Sequence, residues 1–295
     1  MDPRRLLIFR AVARAGSISG AARELGWTQP AVSQHLRALE REAGSPLLLR
    51  GPTGVELTEA GRVLLARADA VASQLHMAGE ELSAIGQLRR GQVRLVAYPT
   101  AAATWAPPAI AGLRRRHPEI DVTLAEHEPP EAIELLASGD ADLALVFGYD
   151  ADPVVGSRDL RYVVVGAEPV HLVLPGDHPA VTRKRLGIAQ LRDEPWIAGC
   201  DRCRAHLVEL CAAAGFAPDI RHVTDDYVVV QTLVAAGLGI SMLPRSALTA
   251  HRNPDVTVRE SRSWGVRRFG IAHREGAEAV PATAALIREL HKHRL

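Results

Sequence analysis

The sequence predicts an α/β fold class, in which a mostly α-helical N-terminal part precedes a two-lobed α/β part. Three observations predict it. Short apolar stripes at helical spacing fill the first 60 residues, a longer stripe then repeats every seven residues, and strand and helix patterns alternate from residue 93 onward. A chain of 295 residues also exceeds one modest domain, so we expect two or three folding units.

Composition narrows the class of protein. Hydrophobic residues make up 47% and charged residues 23% of the chain, which is typical of a globular protein and excludes a disordered or fibrous one. No apolar run is long enough to span a membrane, and the first residues lack the apolar core of a secretory signal. Three cysteines, an odd number, do not form a disulfide framework. We therefore expect a cytoplasmic protein without a membrane partner.

Two short helices are predicted at the N-terminus. An apolar stripe from Leu6 to Ala13 indicates the first helix, which Gly16 ends. Ser17 is a suitable N-cap for a second helix over residues 18–25, and Gly26 stops it.

A third helix completes a helix-turn-helix pattern. It is predicted from Thr28 to Gly44, with Val32, Leu36 and Leu39 on one buried face. A short turn joins it to the second helix, as in proteins that place a recognition helix in the DNA major groove. The side chains expected to face outward are those of Gln29, Ser33, Gln34 and Arg37. Side chains of these types contact base edges and phosphates, although an ordinary solvated helix face would have the same composition.

A hairpin and a long helix follow. Residues 47–50 and 55–57 are predicted strands on either side of a Gly-Pro-Thr-Gly turn. From residue 58 to residue 85 apolar side chains recur at alternating spacings of four and three: Leu64, Ala68, Val71, Leu75, Ala78, Leu82 and Ile85. So narrow a stripe predicts the seam of a homodimer, and a surface helix packed on the C-terminal part is the alternative.

The rest of the chain alternates strands with helices after a polar, glycine-bounded hinge at residues 86–91. The first set comprises strands at 93–97, 120–126 and 141–147 and helices at 100–116 and 131–137. The second set comprises strands at 162–165, 170–174, 196–198, 219–223, 240–243 and 256–260 and helices at 204–214 and 227–236, before a last strand at 268–273 and a last helix at 282–293. This order predicts a mostly parallel sheet in two lobes with a ligand cleft between them.

The motifs resemble those of the LysR-type transcriptional regulators. The resemblance rests on SISGAARELGWTQPAVSQHLRALE from Ser17 to Glu40 and on R-x5-ELTEAG from Arg50 to Gly61, and it extends over the full chain. It implies a winged helix-turn-helix DNA-binding domain at 1–58, a linker or dimerisation helix with a hinge at 59–90, and an effector-binding domain at 91–295. That last domain is periplasmic-binding-protein-like, with lobe I at 91–161 plus 267–295 and lobe II at 162–266.

The same resemblance implies partners and site residues. We expect a homodimer, often assembled into a homotetramer, that binds double-stranded promoter DNA, a small-molecule effector and RNA polymerase, without a cofactor or a metal. The expected DNA-binding residues are Ser17, Thr28, Gln29, Pro30, Ala31, Ser33, Gln34 and Arg37, with Arg50 and Thr53 in the wing. The expected effector-binding residues are Tyr98, Thr100, His127, Glu128, Phe147, Gly199, Cys200, Arg202, Asp226 and Tyr227.

The chemical class of the effector stays open. A hydroxyl such as that of Thr100 at a helix N-terminus favours an anion, and Arg202 or Arg204 could add a counter-charge. Glu128 and the acidic residues at 201, 225 and 226 would oppose an anion, unless they cap helices as Asp226 is placed to do.

The cysteines allow three interpretations. Cys200 and Cys203 form a C-x-x-C pair near a helix N-terminus, so they could act with each other or with Cys211 as a thiol redox switch of the regulator. Adding His206 gives four zinc-type ligands, but His206 and Cys211 lie five residues apart on one helix and do not converge. The remaining interpretation is that of small side chains in a core or a pocket.

A different class of protein is a two-lobed solute-binding protein without a regulatory role. An enzyme is disfavoured, because the chain has no Gly-rich phosphate loop, no G-x-S-x-G and no H-E-x-x-H.

Overall fold

The computed structural model describes residues 1–51, 54–86, 91–149 and 159–294. The chain divides into two units, the first formed by Met1–Gly86 with Ala137–Asp140 and the second by Gln87–Leu136 with Ala141–Leu295. The predicted hinge at 86–91 falls mainly on residues 87–90, which lie outside the described residues. The domain and lobe boundaries predicted from the sequence stay predictions.

The first unit begins with three helices, as the glycine and cap positions predict: α1 (Pro3–Ala15), α2 (Ile18–Glu24) and α3 (Gln29–Ala43). Gly16 and Gly44 end α1 and α3 in the left-handed region, at φ of 63° and 70°, which side chains other than glycine rarely adopt. The Ser17 hydroxyl accepts a hydrogen bond of 3.0 Å from the Gly20 amide and so caps α2. Thr28 precedes α3 without a capping hydrogen bond from its side chain.

A hairpin and a long helix complete this unit: β1 (Leu48–Gly51), β2 (Gly54–Leu57) and α4 (Glu59–Gly86). The strands are antiparallel, and the Val55 amide donates a 2.9 Å hydrogen bond to the Gly16 carbonyl, which anchors the hairpin at the end of α1. At Gly54, with φ of 135°, a Cβ atom would lie 2.4 Å from that same carbonyl oxygen, so only glycine fits this close approach.

The strands of the second unit are β3 (Gly91–Ala97), β4 (Ile120–Glu126), β5 (Leu143–Tyr149), β6 (Leu160–Pro175), β7 (Pro195–Ala198), β8 (Asp219–Val223), β9 (Ile240–Pro244), β10 (Val256–Arg259) and β11 (Val266–Arg274). Within the described residues they form one nine-stranded sheet in the order β4-β3-β5-β11-β6-β9-β7-β8, with β10 beside β6.

The helices of the second part of the chain cover this sheet. They are α5 (Pro99–Thr104), α6 (Ala106–Arg116), α7 (Pro129–Ser138), α8 (Asp201–Ala213), α9 (Tyr227–Ala235), α10 (Arg245–Ala250) and α11 (Pro281–Lys292). Between α5 and α6 lies Trp105, which is fully buried, packs edge-on against Phe269 and donates a 2.8 Å hydrogen bond from its indole nitrogen to the Leu290 carbonyl. None of the described helices is both long and apolar enough to cross a bilayer.

Several elements differ from the sequence-based predictions. The helix predicted at 100–116 is two helices, because Pro107 and Pro108 lack the amide protons that a continuous helix would need there. The strands predicted at 162–165 and 170–174 are one strand, β6, which pairs with β11 over residues 160–169 and with β9 and β10 over residues 170–175. Helix α8 begins at Asp201, three residues before the predicted start at residue 204, and the sequence patterns do not predict α10.

The sheet is also less parallel than predicted. Strands β3, β4 and β5 pair in parallel, as do β7, β8 and β9, so each lobe keeps the predicted βαβ arrangement. Where β6 and β11 join the lobes, their pairings with each other and with β5, β9 and β10 are antiparallel. The order of strands along a sequence does not reveal such crossing strands.

Candidate functional site

The exposed face of α3 is the first candidate site. Val32, Leu36 and Leu39 are buried in the core of the first unit, which fixes the orientation of the helix. The residues predicted to bind DNA that are exposed on this helix or just before it are Thr28, Gln29, Pro30, Gln34 and Arg37. Pro30, Gln34 and Arg37 follow one another at spacings of four and three, so they share a single helix face.

Two of the predicted α3 residues are less accessible. The prediction that Ser33 faces outward is wrong: it is 8% exposed, because it is adjacent to the buried stripe of Val32 and Leu36. Ala31 is half-buried. Sequence reasoning missed Arg41, which is exposed and continues the face of Gln34 and Arg37 at a spacing of four. That spacing was the available signal.

The predicted residues outside α3 are described only in part. Ser17 is half-buried and caps α2. The main chain of Arg50 belongs to β1, but its side chain is not among those described, and Thr53 lies outside the described residues.

The predicted dimer seam on α4 divides into two halves. Leu64 packs against the core of the first unit and Ala68 is fully buried, while Val71 is half-buried. Further along, Leu75 is 52% and Leu82 is 71% exposed, and Ala78 between them is exposed as well. The side chain of Ile85 is not described. Among the described stripe residues, the first ones are thus buried or half-buried, and Leu75, Ala78 and Leu82 are exposed.

The second candidate site is a cleft in the second unit. It lies between the ends of β3, β5 and β7 and the starts of α5, α8, α9 and α10. Its described lining consists of Tyr98, Pro99, Thr100, Glu128, Phe147, Gly199, Cys200, Cys203, Thr224, Asp225, Tyr227, Val230, Met242, Leu243, Pro244, Ala247 and Arg267. In this conformation the cleft is narrow, with a volume of about 40 Å³, room for about three water molecules.

A buried ion pair forms the floor of the cleft. Arg267 on β11 donates to one oxygen of the Glu168 carboxylate on β6, through Nη2 at 2.6 Å and Nε at 3.0 Å, and the two side chains are only 3% and 0% exposed. Ser246, at the start of α10, donates to the same carboxylate from its amide at 2.7 Å and from its hydroxyl at 3.1 Å. Arg267 Nη2 also donates to Thr100 Oγ1 at 2.7 Å. The network therefore links α5 and β11 with β6 and α10.

Aromatic rings hold the guanidinium of Arg267 in place. Its central carbon lies 4.9 Å from the centre of the Tyr98 ring and 4.4 Å from that of Phe147, and the two rings pack edge to face 4.8 Å apart. Cations bind well to ring faces where water is excluded. Arg267 is thus oriented by both the rings and the carboxylate.

Two polar atoms at the cleft have no hydrogen-bond partner among the described residues: the hydroxyl oxygen of Tyr98 and Oε2 of Glu128. Burial raises the pKa of Glu128 to about 7; a hydrogen bond from Cys200 lowers it in part and the charge of Asp225 raises it further. Burial likewise raises the pKa of the Tyr98 hydroxyl well above its ordinary value. These atoms can bond to a ligand.

A pair of thiols forms part of one wall. Cys200 is the residue just before α8 and Cys203 lies in its first turn, and their Sγ atoms are 3.2 Å apart. The Tyr149 hydroxyl donates to Cys203 Sγ at 3.4 Å. His206 stacks on the Tyr149 ring, with centres 4.1 Å apart, and contacts the Trp264 carbonyl through Nε2 at 2.9 Å. Among the described residues no group of three or more His, Cys, Asp or Glu side chains could hold a metal ion.

Most predicted effector residues meet at this cleft, but His127, Arg202 and Asp226 are not in its described lining. His127 contacts Glu131 one helical turn ahead, at 3.0 Å between Nδ1 and Oε2. Asp226 accepts from the Val228 and Val229 amides and caps α9, the role that its position directly before Tyr227 predicts. Arg202 lies on the first turn of α8.

Sequence reasoning missed the Arg267–Glu168 pair. The two residues are 99 positions apart and belong to strands that were predicted to end or begin beside them. In the sequence each of the two is a charged residue beside a strongly apolar strand, and that pattern alone does not show which residue it pairs with.

The family of the chain follows from comparison with known proteins. Residues 3–62 match the family model described as bacterial regulatory helix-turn-helix protein, lysR family, and residues 86–294 match that of the LysR substrate binding domain. The chain belongs to the LysR family. It is a LysR-type transcriptional regulator with an N-terminal helix-turn-helix DNA-binding domain and a C-terminal substrate-binding domain, so the resemblance seen in the sequence is confirmed. The family consists of transcriptional regulators and not of enzymes.

Curated relatives agree with this LysR-type assignment. The chain is 31% identical over 267 residues to the HTH-type transcriptional regulator AlsR of Bacillus subtilis, covering 88% of this chain and 85% of the relative. It is 31% identical over 249 residues to the Hca operon transcriptional activator HcaR of Escherichia coli, covering 83% and 82%.

Solved structures confirm the LysR-type fold. A full-length OxyR variant from Pseudomonas aeruginosa superposes with a TM-score of 0.76 at 23% identity, covering 98% of this chain and 94% of that one. Full-length CbnR, solved in complex with its target DNA, superposes with a TM-score of 0.64 at 22% identity, covering 100% of both chains.

Breaking the buried pair should destabilise the second unit. In a Glu168→Gln variant Arg267 stays buried and charged without a counter-ion, and we expect a loss of about 3–5 kcal/mol in the free energy of unfolding, measured by urea denaturation. The control is Glu275→Gln, whose carboxylate pairs with Arg161 on the surface and whose loss should leave the free energy of unfolding nearly unchanged, because exposed ion pairs are screened by water. Equal effects of both changes would contradict this assignment.

The Glu128 carboxyl should make stability depend on pH. Its pKa is raised from 4.5 to about 7, so its contribution to stability is present below pH 4.5 and is lost as pH rises through 7. The free energy of unfolding of a Glu128→Gln variant should therefore increase relative to that of the native chain when the pH is raised from 5 to 8.5. One pKa unit corresponds to about 1.4 kcal/mol, and with partial solvent screening we expect a gain of roughly 2 kcal/mol.

Urea midpoints at the two pH values measure this gain. The matched control is Glu134→Gln, which removes an exposed carboxylate from α7, the helix that begins directly after Glu128. A difference between native chain and Glu128→Gln that stays constant with pH would show that Glu128 titrates as an ordinary surface carboxyl.

Proposed function

We propose that this LysR-type regulator reads promoter DNA with the exposed face of α3 and that a small molecule bound in the cleft of the second unit sets its activity. The single observation that carries the DNA-binding part is the polar face of α3, where Gln34 and Arg37 are exposed above a helix whose opposite side is buried. Gln and Arg are the side chains best suited to paired hydrogen bonds with adenine and guanine in a major groove.

The proposed DNA contacts extend along the chain on either side of that face. Thr28, Gln29 and Pro30 at the start of α3 lie toward the bases, and Arg41 adds a phosphate or base contact. Ser17 has its hydroxyl engaged in capping α2, so its role is to position the helices. The wing residues Arg50 and Thr53 contact the DNA backbone.

We propose that the protein acts as a homodimer and assembles further into a tetramer. The exposed half of the α4 stripe, at Leu75, Ala78 and Leu82, supports this, because large apolar side chains repeated on one helix face are typically covered by a partner helix. Two DNA-binding domains in one particle suit a promoter with two half-sites.

The effector cleft is proposed from its lining. Tyr98 and Glu128 supply hydrogen-bonding atoms, Phe147 and Tyr227 supply apolar surface, and Gly199, which has no side chain, lies against Cys203. An anionic effector would compete with Glu168 for Arg267, whereas an effector with hydrogen-bond donors could bond directly to Glu128. Because the network of Arg267 joins elements from both lobes, a ligand that changes it would change the angle between the lobes.

The remaining parts of the proposal follow from this role. The protein works in the cytoplasm, where promoter DNA and RNA polymerase are, and it carries out no reaction on its effector. The helix-turn-helix match favours this function over that of a two-lobed solute-binding protein without a regulatory role.

Binding of the protein to intergenic DNA upstream of its own gene tests the proposal, with fluorescence anisotropy as the measurement. We expect selective binding that weakens steeply as salt rises. An Arg37→Ala variant should lose about 1–3 kcal/mol of binding free energy, on the target alone if Arg37 contacts a base and on all sequences if it contacts phosphate.

The matched control is Arg115→Ala, which removes an exposed positive charge from the second unit and should bind DNA as the native chain does. If Arg37→Ala and Arg115→Ala bind the target equally well, α3 does not form the interface that we propose.

A further inference from the structure

The two thiols in the cleft wall are arranged for chemistry that the regulator function does not require. Cys200 Sγ and Cys203 Sγ are 3.2 Å apart, so an approach of about 1 Å would bring them to the length of a disulfide bond. Both line the cleft, and Cys203 is half-buried, so a small reagent that enters the cleft can reach its sulfur. Position and separation together therefore suit an intrachain disulfide.

The two thiols differ in their tendency to ionise. A hydrogen bond donated by Cys200 lowers the pKa of Cys203, burial opposes this, and the charge of Arg267 and the hydroxyl of Tyr149 lower it further. The same hydrogen bond, together with burial, raises the pKa of Cys200. Cys203 is therefore the more acidic thiol of the pair and the one that more readily becomes the nucleophilic thiolate, whereas Cys200 more readily keeps its proton.

The third cysteine is placed differently. Cys211 is fully buried in the core beside Trp196 and does not line the cleft. It lies eight residues after Cys203 on α8, about 12 Å along the helix axis, and burial raises its pKa to about 11. Cys211 thus serves as an internal control that is not part of the pair.

We propose that Cys200 and Cys203 form a two-electron redox site that a hydroperoxide, including hydrogen peroxide, converts to an intrachain disulfide. In the first step Cys203 Sγ attacks the outer oxygen of the hydroperoxide, the O–O bond breaks, and the leaving alkoxide or hydroxide takes up a proton as an alcohol or water. Cys203 is then a sulfenic acid. In the second step Cys200 Sγ attacks Cys203 Sγ, the S–O bond breaks, and water leaves with the proton of the Cys200 thiol.

Formation of the disulfide would change the hydrogen bonds that Cys200 and Cys203 make at the cleft in the reduced protein. It removes the thiol proton of Cys200, which now bonds to Cys203 Sγ and whose hydrogen bonding also lowers the pKa of Glu128, and it changes the sulfur that accepts from Tyr149. Both effects occur within the lining that we propose for the effector, so oxidation would act as a second input at that same cleft. The chemistry of the pair itself depends on neither DNA binding nor the identity of an effector.

The test is a thiol count on the reduced, full-length protein. The protein is treated with hydrogen peroxide under native conditions, then denatured and alkylated, and its mass and its proteolytic peptides are measured. We expect two of the three thiols to be lost and a peptide that links Cys200 to Cys203. Cys211→Ser should behave in the same way, apart from the thiol it lacks.

Single variants distinguish the roles of the two sulfurs. Cys200→Ser should stop at a Cys203 sulfenic acid, which dimedone traps, and Cys203→Ser should lose no thiol at the dose that oxidises the native chain. Retention of all three thiols in the native chain at doses that oxidise a reduced dithiol peptide, or a disulfide that involves Cys211 or a second chain, would overturn the proposal. Either result would leave the proposed DNA-binding function untouched, because the thiol count does not measure it.

Discussion

The ion pair of Arg267 and Glu168 is the constraint on which the cleft depends. A buried guanidinium and a buried carboxylate are each costly to remove from water, and they are tolerated together because their hydrogen bonds are satisfied by each other and by Thr100 and Ser246. Since β6 and β11 contribute the pair while α5 and α10 contribute the hydroxyls, the same bonds that neutralise the charges fix the relative position of elements from both lobes. Packing of Tyr98 and Phe147 on the guanidinium adds to this.

A cleft built in this way contains few groups that are free to respond to a ligand. Arg267 is engaged on every side, so the groups able to respond are the Tyr98 hydroxyl, the Glu128 carboxyl and the thiols of Cys200 and Cys203. These four lie within one lining, and Glu128 is already coupled to Cys200 by a hydrogen bond. Under the functions proposed above, proton, ligand and thiol chemistry would all act on this same small set of atoms.

The features that could be predicted from the sequence are those with a local physical cause. Glycines at 16 and 44 mark the helix ends because only a left-handed residue fits there, and the stripe of Val32, Leu36 and Leu39 orients α3, which made most of its exposed face predictable. Ser33 was misplaced because it lies at the edge of that stripe, where a small change in helix rotation decides burial. The continuity of β6 and the pairing of Arg267 with Glu168 depend on contacts between distant segments, which periodicity and spacing do not encode.

Hydrogen–deuterium exchange of the full-length chain, compared between the native protein and Glu168→Gln, tests most directly whether this pair holds the lobes together. If the pair joins the lobes, exchange in the variant becomes faster in α5, α10 and the start of α8, where the cleft walls meet, and stays unchanged in α1, α2 and α3 of the first unit. Unchanged exchange at the cleft walls, or an increase spread evenly over the whole chain, would contradict it, because the pair would then be a general source of stability and not the joint between the lobes.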